Sequence, residues 1–289
     1  MPIGHFQTWL PSSRAPMAFT SGGVTVEVAP LPCPAHPVDD TGCSCDGYNN
    51  QARVTVQATG VEPMSVTTDR QGGYARIAVV RFGRSDPRPG VIVESQSGGS
   101  AGALSMQFLV PSGAGYRVLP LPQTPDHLLQ GQIADERRDL SGDGYIDLTL
   151  EDGAFGNAFG CNACTPRPPR VFAVKQGRVV DESRDPALRP VFAADMARLE
   201  PRCLSTQTYR NGACAAYVAD ATRAGRFRSA WAKMLAHYER GRDLWQPDKG
   251  PHFKDFPQSL RAFLAHASYY PPLPFRGGAG GGAFPQAGR

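Results

Sequence analysis

The chain has 289 residues, enough for one large domain or two smaller ones. Only 19% of residues are charged while glycine and proline number 32 and 27, a balance that favours a turn-rich β-protein over a helical one. The formal charge of +4 is modest and the arginines are scattered, so there is no nucleic-acid footprint, and no apolar run reaches the ~20 residues needed to span a membrane.

Residues 1–22 read as a flexible N-terminus. The stretch from Met1 to Leu10 lacks a basic start followed by an apolar core, so it does not read as a signal peptide. From residue 23 to 184 short apolar alternations are separated by Gly, Pro and Asp clusters. They predict strands at 24–28, 53–58, 74–82, 91–94, 104–110, 116–121, 145–150, 171–175 and 178–182. Gln176-Gly177 reads as a tight hairpin turn between the last two. This spacing predicts an antiparallel β-rich domain, a sandwich or a partial, propeller-like sheet array.

One catalytic signal lies in this region. Gly98-Gly-Ser100-Ala-Gly102 matches G-x-S-x-G and follows an apolar strand. It resembles the nucleophile elbow of α/β-hydrolase serine esterases, with Ser100 as the nucleophile that the resemblance implies. The segment from Ala103 to Val110 alternates like a strand, whereas an elbow needs a helix there. No His-Gly-Gly run supplies an oxyanion hole, and the candidate bases His127, His237, His252 and His266 are unmarked by their surroundings. A Gly/Ser hairpin loop is the competing reading, and the preferred one.

The segment Asp139-Leu-Ser-Gly-Asp-Gly-Tyr-Ile-Asp147 carries the richest chemistry. Calcium takes six to eight oxygens at short range, and carboxylates at alternate positions of a tight loop aim several at one point. Asp139, Ser141, Asp143 and Asp147 would supply side-chain oxygens and Tyr145 its backbone carbonyl. Gly144 permits the sharp turn, and Ile146 pins the loop to the core. Counting from Asp139, the twelfth residue is Leu150, so the terminal bidentate Glu of a helix–loop–helix site is missing. The alternation after Gly144 predicts a strand instead.

The run from Asp139 to Leu148 resembles the FG-GAP and VCBS type repeat, which implies calcium binding by a loop that opens into a strand of a β-propeller or array. One copy is present, with Ser141 where Asn or Asp is usual. That substitution and the absent Glu predict weak, extracellular-grade affinity, roughly 10⁻⁴–10⁻³ M. An Asp/Gly-rich turn without metal is the alternative.

Residues 185–270 change to helical period. Asn211 reads as the N-cap of a helix that buries Cys214, Tyr217, Val218 and Ala221, and Gly225 stops it. A second helix carries Phe227, Ala230, Trp231, Met234, Leu235 and Tyr238 as one packing stripe. A third is predicted over 256–267. Residues 271–289 are Gly-rich and read as a disordered tail.

Seven cysteines fall in three groups: Cys33, Cys43 and Cys45; Cys161 and Cys164; Cys203 and Cys214. In an exported protein they read as local staples, with Cys203–Cys214 the expected pair. Cys161-Asn-Ala-Cys164 has redox spacing, but the Pro-rich stretch after it cannot open the helix that lowers a thiolate pKa. Cys43, Cys45, Cys161 and Cys164 could alternatively form a four-thiolate zinc site.

Together these readings describe an α+β protein: a β-rich calcium-binding domain followed by a C-terminal helical hairpin domain. The expected function is non-enzymatic, in the periplasm or outside the cell, with calcium as a structural ion and a protein or envelope partner. A serine hydrolase using Ser100 and a zinc-stapled interaction module are the alternatives.

Overall fold

The computed structural model describes residues 3–10, 15–31, 51–68, 72–97, 104–123, 129–133, 138–205, 209–248 and 252–270. Within them the strands are β1 (Gln7–Trp9), β2 (Met17–Ser21), β3 (Val24–Pro30), β4 (Ala52–Ala58), β5 (Val61–Thr67), β6 (Gly72–Val80), β7 (Gly90–Ser97), β8 (Leu104–Ser112), β9 (Gly115–Pro120), β10 (Leu129–Gln130), β11 (Asp147–Asp152), β12 (Pro169–Lys175) and β13 (Arg178–Asp181). The helices are α1 (Arg189–Leu204), α2 (Arg210–Arg223), α3 (Phe227–His237) and α4 (Phe256–His266). The class is α+β, with antiparallel sheets first and helices after.

The strands form three antiparallel sheets: β2-β3-β4-β5, β1-β6-β7-β8-β9 and β10-β11-β12-β13. The second sheet is buried on both faces. Side chains alternate across a strand, so Ile77, Val79, Val91 and Val93 pack with Val26, Val54 and Val56 of the first sheet. Ala78, Val80, Ile92 and Phe108 point the other way and pack with Leu148, Leu150, Phe172 and Val174 of the third. Each such side chain, fully buried, contributes about 1.5–3 kcal/mol. The central sheet therefore carries both cores and holds the stack together.

Turn chemistry sets the registers. Gly22 and Gly23 both have positive φ between β2 and β3, and Gln176 and Gly177 do the same between β12 and β13. Two-residue turns of this kind match the twist of the strands they join. Lys175 faces Arg178 across the second of them, as expected of a tight hairpin.

The N-terminal segment departs from the flexible reading. Residues 7–9 pair with β6, and residues 17–21 pair with β3. Both strands are too short for a strong periodic signal, and it is their partners that order them. Trp9 is buried, and its Nε1 donates to the Ala15 carbonyl at 2.8 Å.

The helical part begins with a strand-to-helix turn at Asp185, whose side chain accepts from the Ala187 N–H. α1, which carries no strong stop signal before it, buries Phe192, Met196, Leu199 and Cys203 at helical spacing. α2 is buried from Asn211 to Ala221; its many alanines let neighbours approach from all sides. The expected Cys203–Cys214 disulfide ties the end of α1 to the start of α2, with Cα atoms 4.4 Å apart. Gly225, at positive φ, follows α2 as expected.

Asn211 is not the N-cap of α2. Tyr209, in the left-handed region, holds that place. Asn211 instead donates from Nδ2 to the Glu239 and Arg242 carbonyls and accepts the Glu239 N–H, so it staples the loop after α3. α3 buries Ala230 and Met234, while Leu235, expected in the stripe, is exposed. The helices join the third sheet through Val171, Leu188 and Phe192. A buried polar contact adds to this: Tyr269 donates to Asp152 at 2.9 Å, beneath the Arg223 guanidinium.

Among the described residues no helix is long and apolar enough to cross a membrane. Residues 271–289 lie outside the described residues.

Candidate metal site

The loop from Asp139 to Asp147 is folded by its own carboxylates. Six successive N–H groups, Leu140 to Tyr145, all donate to them. Asp139 Oδ1 accepts from Gly142 at 2.7 Å and Asp143 at 3.0 Å, and its Oδ2 from Gly144 at 2.9 Å. Asp147 Oδ2 accepts from Leu140 at 2.5 Å and Ser141 at 2.8 Å. Asp143 Oδ1 accepts from Tyr145 at 2.9 Å. Gly142 and Gly144 take positive φ, which lets the amides turn inward. A carboxylate is an acceptor of high capacity, so three aspartates within nine residues are enough to wind this loop.

The loop is also laced to the turn after β6. Ile146 N–H donates to the Phe82 carbonyl at 2.8 Å and Arg84 N–H to the Gly144 carbonyl at 2.9 Å. The Tyr145 ring lies against Gly83, where a Cβ would come within 2.9 Å of it. Ile146 packs on the core between the second and third sheets, as the sequence predicts. The strand after the loop starts at Asp147, two residues later than expected.

Three buried oxygens beside this loop have no hydrogen-bond donor: Ser141 Oγ, Asp147 Oδ1 and Glu182 Oε2. Asp147 is 4% exposed and Glu182 9%. Glu182 is absent from the predicted ligand set, because it lies far along the chain, just after β13. Sheet register brings it in. Asp147 faces Ala173 and Ala173 faces Val180. Lys175 is two residues beyond Ala173 and Glu182 two beyond Val180, so alternation puts Asp147, Lys175 and Glu182 on one face around a small alanine.

The Lys175 ammonium bonds both Asp143 and Glu182. Burial works against its charge, but the bonds to Asp143 and Glu182 outweigh that and raise its pKa. Burial would raise the Asp143 carboxyl too; the bonds from Lys175 and the Tyr145 N–H hold it below the ordinary value instead. The Ser141 hydroxyl sits beside Asp143 without good hydrogen-bond geometry. Glu182 is pushed up by burial, against the pull of Lys175, and the facing Asp147 and nearby Asp143 add to the rise. On the exposed rim, Arg84 bonds Asp139 Oδ2 at 3.0 Å.

Among the described residues no group of three or more His, Cys, Asp or Glu side chains is arranged to hold a metal ion. The reason is local: the oxygens of Asp139 face amides and Arg84, and an ammonium stands between Asp143 and Glu182. The donor set itself is all oxygen, anionic and partly unsatisfied, which is the chemistry a hard cation takes. Asp139, Ser141, Asp143, Asp147 and the carbonyl of Tyr145 remain the loop residues that would hold one, with Glu182 beside them.

A cleft of about 410 Å³ opens next to the loop, lined in part by Phe82, Arg88, Arg117, Tyr145 and Gln176. Arg117 reaches the Gly177 carbonyl at 2.7 Å, across a glycine whose Cβ would leave it no room. Arg88 donates to the Gly113 carbonyl at 2.5 Å.

The other sequence candidates are not gathered here. Ser100 and His127 lie outside the described residues. The strands around Ser100, β7 and β8, are antiparallel neighbours with Gln96 opposite Leu104, so a strand follows where an elbow needs a helix. His237, the last residue of α3, bonds the Lys233 carbonyl, and His266, the last of α4, packs near Trp245. Cys161 and Cys164 are joined as a disulfide, which withdraws two thiolates from the four-thiolate zinc set. Cys33, Cys43 and Cys45 lie outside the described residues.

Comparison with known proteins finds one family model and two relatives. Residues 192–268 match the family model described as the sll0997 C-terminal domain. The chain is 29% identical over 145 residues, 45% of its own length, to the "Probable thylakoid lumen protein sll0997" of Synechocystis sp. (strain ATCC 27184 / PCC 6803 / Kazusa). It is 22% identical over 289 residues, 92% of its own length, to the "Uncharacterized protein y4bJ" of Sinorhizobium fredii (strain NBRC 101917 / NGR234). The matches cover only 43% and 42% of those two relatives, less than half of each. No solved structure matches.

Proposed function

We propose that this chain is a calcium-braced binding module of an exported protein and acts without catalysis. The observation that carries the reading is the set of buried oxygens without donors beside the 139–147 loop: Ser141 Oγ, Asp147 Oδ1 and Glu182 Oε2. Buried oxygens of this kind cost free energy unless something positive meets them. A calcium ion there would supply charge and coordination, and its binding free energy would add to folding stability. The loop is stitched to the turn after β6, so bracing it also braces one wall of the cleft. That cleft, with its two arginines and Tyr145, is where a partner or ligand would dock.

Export is supported by two disulfides, which persist in oxidising compartments. A relative whose name places it in the thylakoid lumen supports it further. The hairpin context of Ser100 favours the non-enzymatic reading over a serine hydrolase.

A thermal melt tests the proposal. Calcium at about 100 times Kd stabilises by about 2.7 kcal/mol, so the midpoint should rise by several degrees over protein held in chelator. An identical midpoint in chelator and in roughly 100 mM calcium, about 100 times a Kd of 10⁻³ M, would sink it.

A further inference from the structure

The loop lacks the terminal carboxylate of a helix–loop–helix site, and the fold places another one beside it. Glu182 is nine-tenths buried, its Oε2 has no donor, and it faces Asp147, whose Oδ1 has none either. Two buried carboxyls that close are both ionised only where a cation meets them; otherwise one of them holds a proton. The positive group present is Lys175, at the end of β12, which bonds Glu182 Oε1 and Asp143 Oδ2 together. Its side chain is 19% exposed and its Nζ lies 5.6 Å from the centroid of the Tyr145 ring, so the ammonium is held among these oxygens.

The geometry points to Glu182 as the carboxylate that closes the calcium site, and to Lys175 as a tethered ammonium that occupies it until calcium displaces it. This rests on the calcium reading above and adds to it a ligand from outside the loop and a built-in competitor. A lysine is suited to the task. Its ammonium is a compact point charge on a flexible stem with three donors, so it can bridge two carboxylates and also withdraw toward solvent. Calcium must then pay for breaking two ion pairs before it gains Asp143 and Glu182. This competition lowers affinity further than the loss of charge at Ser141 does, and it lets the apo protein remain folded.

The test is calorimetric titration of calcium chloride into chelator-stripped protein of the full chain. Four proteins are compared: wild type, Glu182→Gln, Lys175→Met and Arg84→Met. Lys175→Met should tighten binding by about tenfold and Glu182→Gln should weaken it by about tenfold, since charge count tunes such sites. Arg84→Met removes the same charge from the exposed rim and should shift affinity by less than about threefold. Terbium luminescence sensitised by Tyr145 gives a second readout, and Lys175→Gln replaces Lys175→Met if the latter does not fold.

Binding seen only after Lys175 is removed would overturn the displacement, because calcium then never replaces the ammonium in the wild type. Wild-type binding that neither Glu182→Gln nor Lys175→Met alters would overturn this inference and leave the calcium loop standing. Equal tightening by Arg84→Met and Lys175→Met would overturn it as well, as a plain charge effect. No binding by wild type or by either Lys175 variant would overturn both readings.

Discussion

Carboxylates gather in two regions of this protein, and the two regions neutralise them differently. At the 139–147 loop they meet six backbone amides, a rim arginine and Lys175. Between α1 and α2, Asp220 is fully buried, and neither of its oxygens has a hydrogen-bond partner. Its neighbour Asp195 bonds Arg198 through Oδ1 and leaves Oδ2 unpartnered. Burial, and then the facing Asp195, push the Asp220 carboxyl well above its ordinary value, against the weaker pull of Arg223 and Arg198. One region is built to hold positive charge. The other answers burial with a carboxyl whose pKa is raised well above the ordinary value.

The largest expected effect comes from breaking the first region. Asp147→Ala leaves the Leu140 and Ser141 amides without their buried acceptor. Hydrogen bonds to a charged group are worth about 1.5–3 kcal/mol each, so the loss should be about 3–5 kcal/mol by denaturant unfolding. A loss under 1 kcal/mol would mean the loop winds without its carboxylates.

The helical region should respond next most strongly to loss of its staple. Replacing Cys203 and Cys214 together by alanine opens a short loop, at about 3 kcal/mol. It also frees α1 to move from α2, so the separation of Asp195 and Asp220 changes with it. An unaltered unfolding midpoint under oxidising conditions would show that packing alone fixes the two helices.

Asp220→Asn should have the smallest effect, and the opposite sign. The native state binds a proton that the unfolded chain releases near pH 4. Stability contributed by protonated Asp220 is thus full below the ordinary carboxyl pKa, and it declines as pH rises toward the raised native value. The variant should gain about 1 kcal/mol near neutrality and lose that part of the pH slope. A slope identical to wild type between pH 4 and 7 would remove Asp220 from the account.

Much of the fold was legible in the chain. The alternation of Val24, Val26 and Val28 marked β3, the Gln176-Gly177 pair marked the hairpin of β12 and β13, and the run from Phe256 marked α4. β1, β2 and β5 were not legible. Gln7–Trp9 and Met17–Ser21 are short and weakly patterned, and become strands because β6 and β3 offer free edges. α1 was missed because its start carries proline and no side-chain cap, and Pro201 interrupts its end. Asn211 was misread because an asparagine before an apolar run looks the same whether it caps its own helix or staples a distant loop.

By itself the sequence determined what depends on near neighbours. Asp139, Asp143 and Asp147 lie within reach of the amides they bind, and Cys203 and Cys214 lie one short turn apart, so both features follow from local spacing. Glu182 and Lys175 came to the loop only through tertiary structure, and so did the pairing of Asp195 with Asp220. Those meetings depend on strand register and helix packing: a slip of one residue turns a strand side chain to the opposite face and swings a helix side chain about 100° from its partner. The loop could be read from nine residues; that Glu182 and Lys175 stand beside it was decided by the sheet.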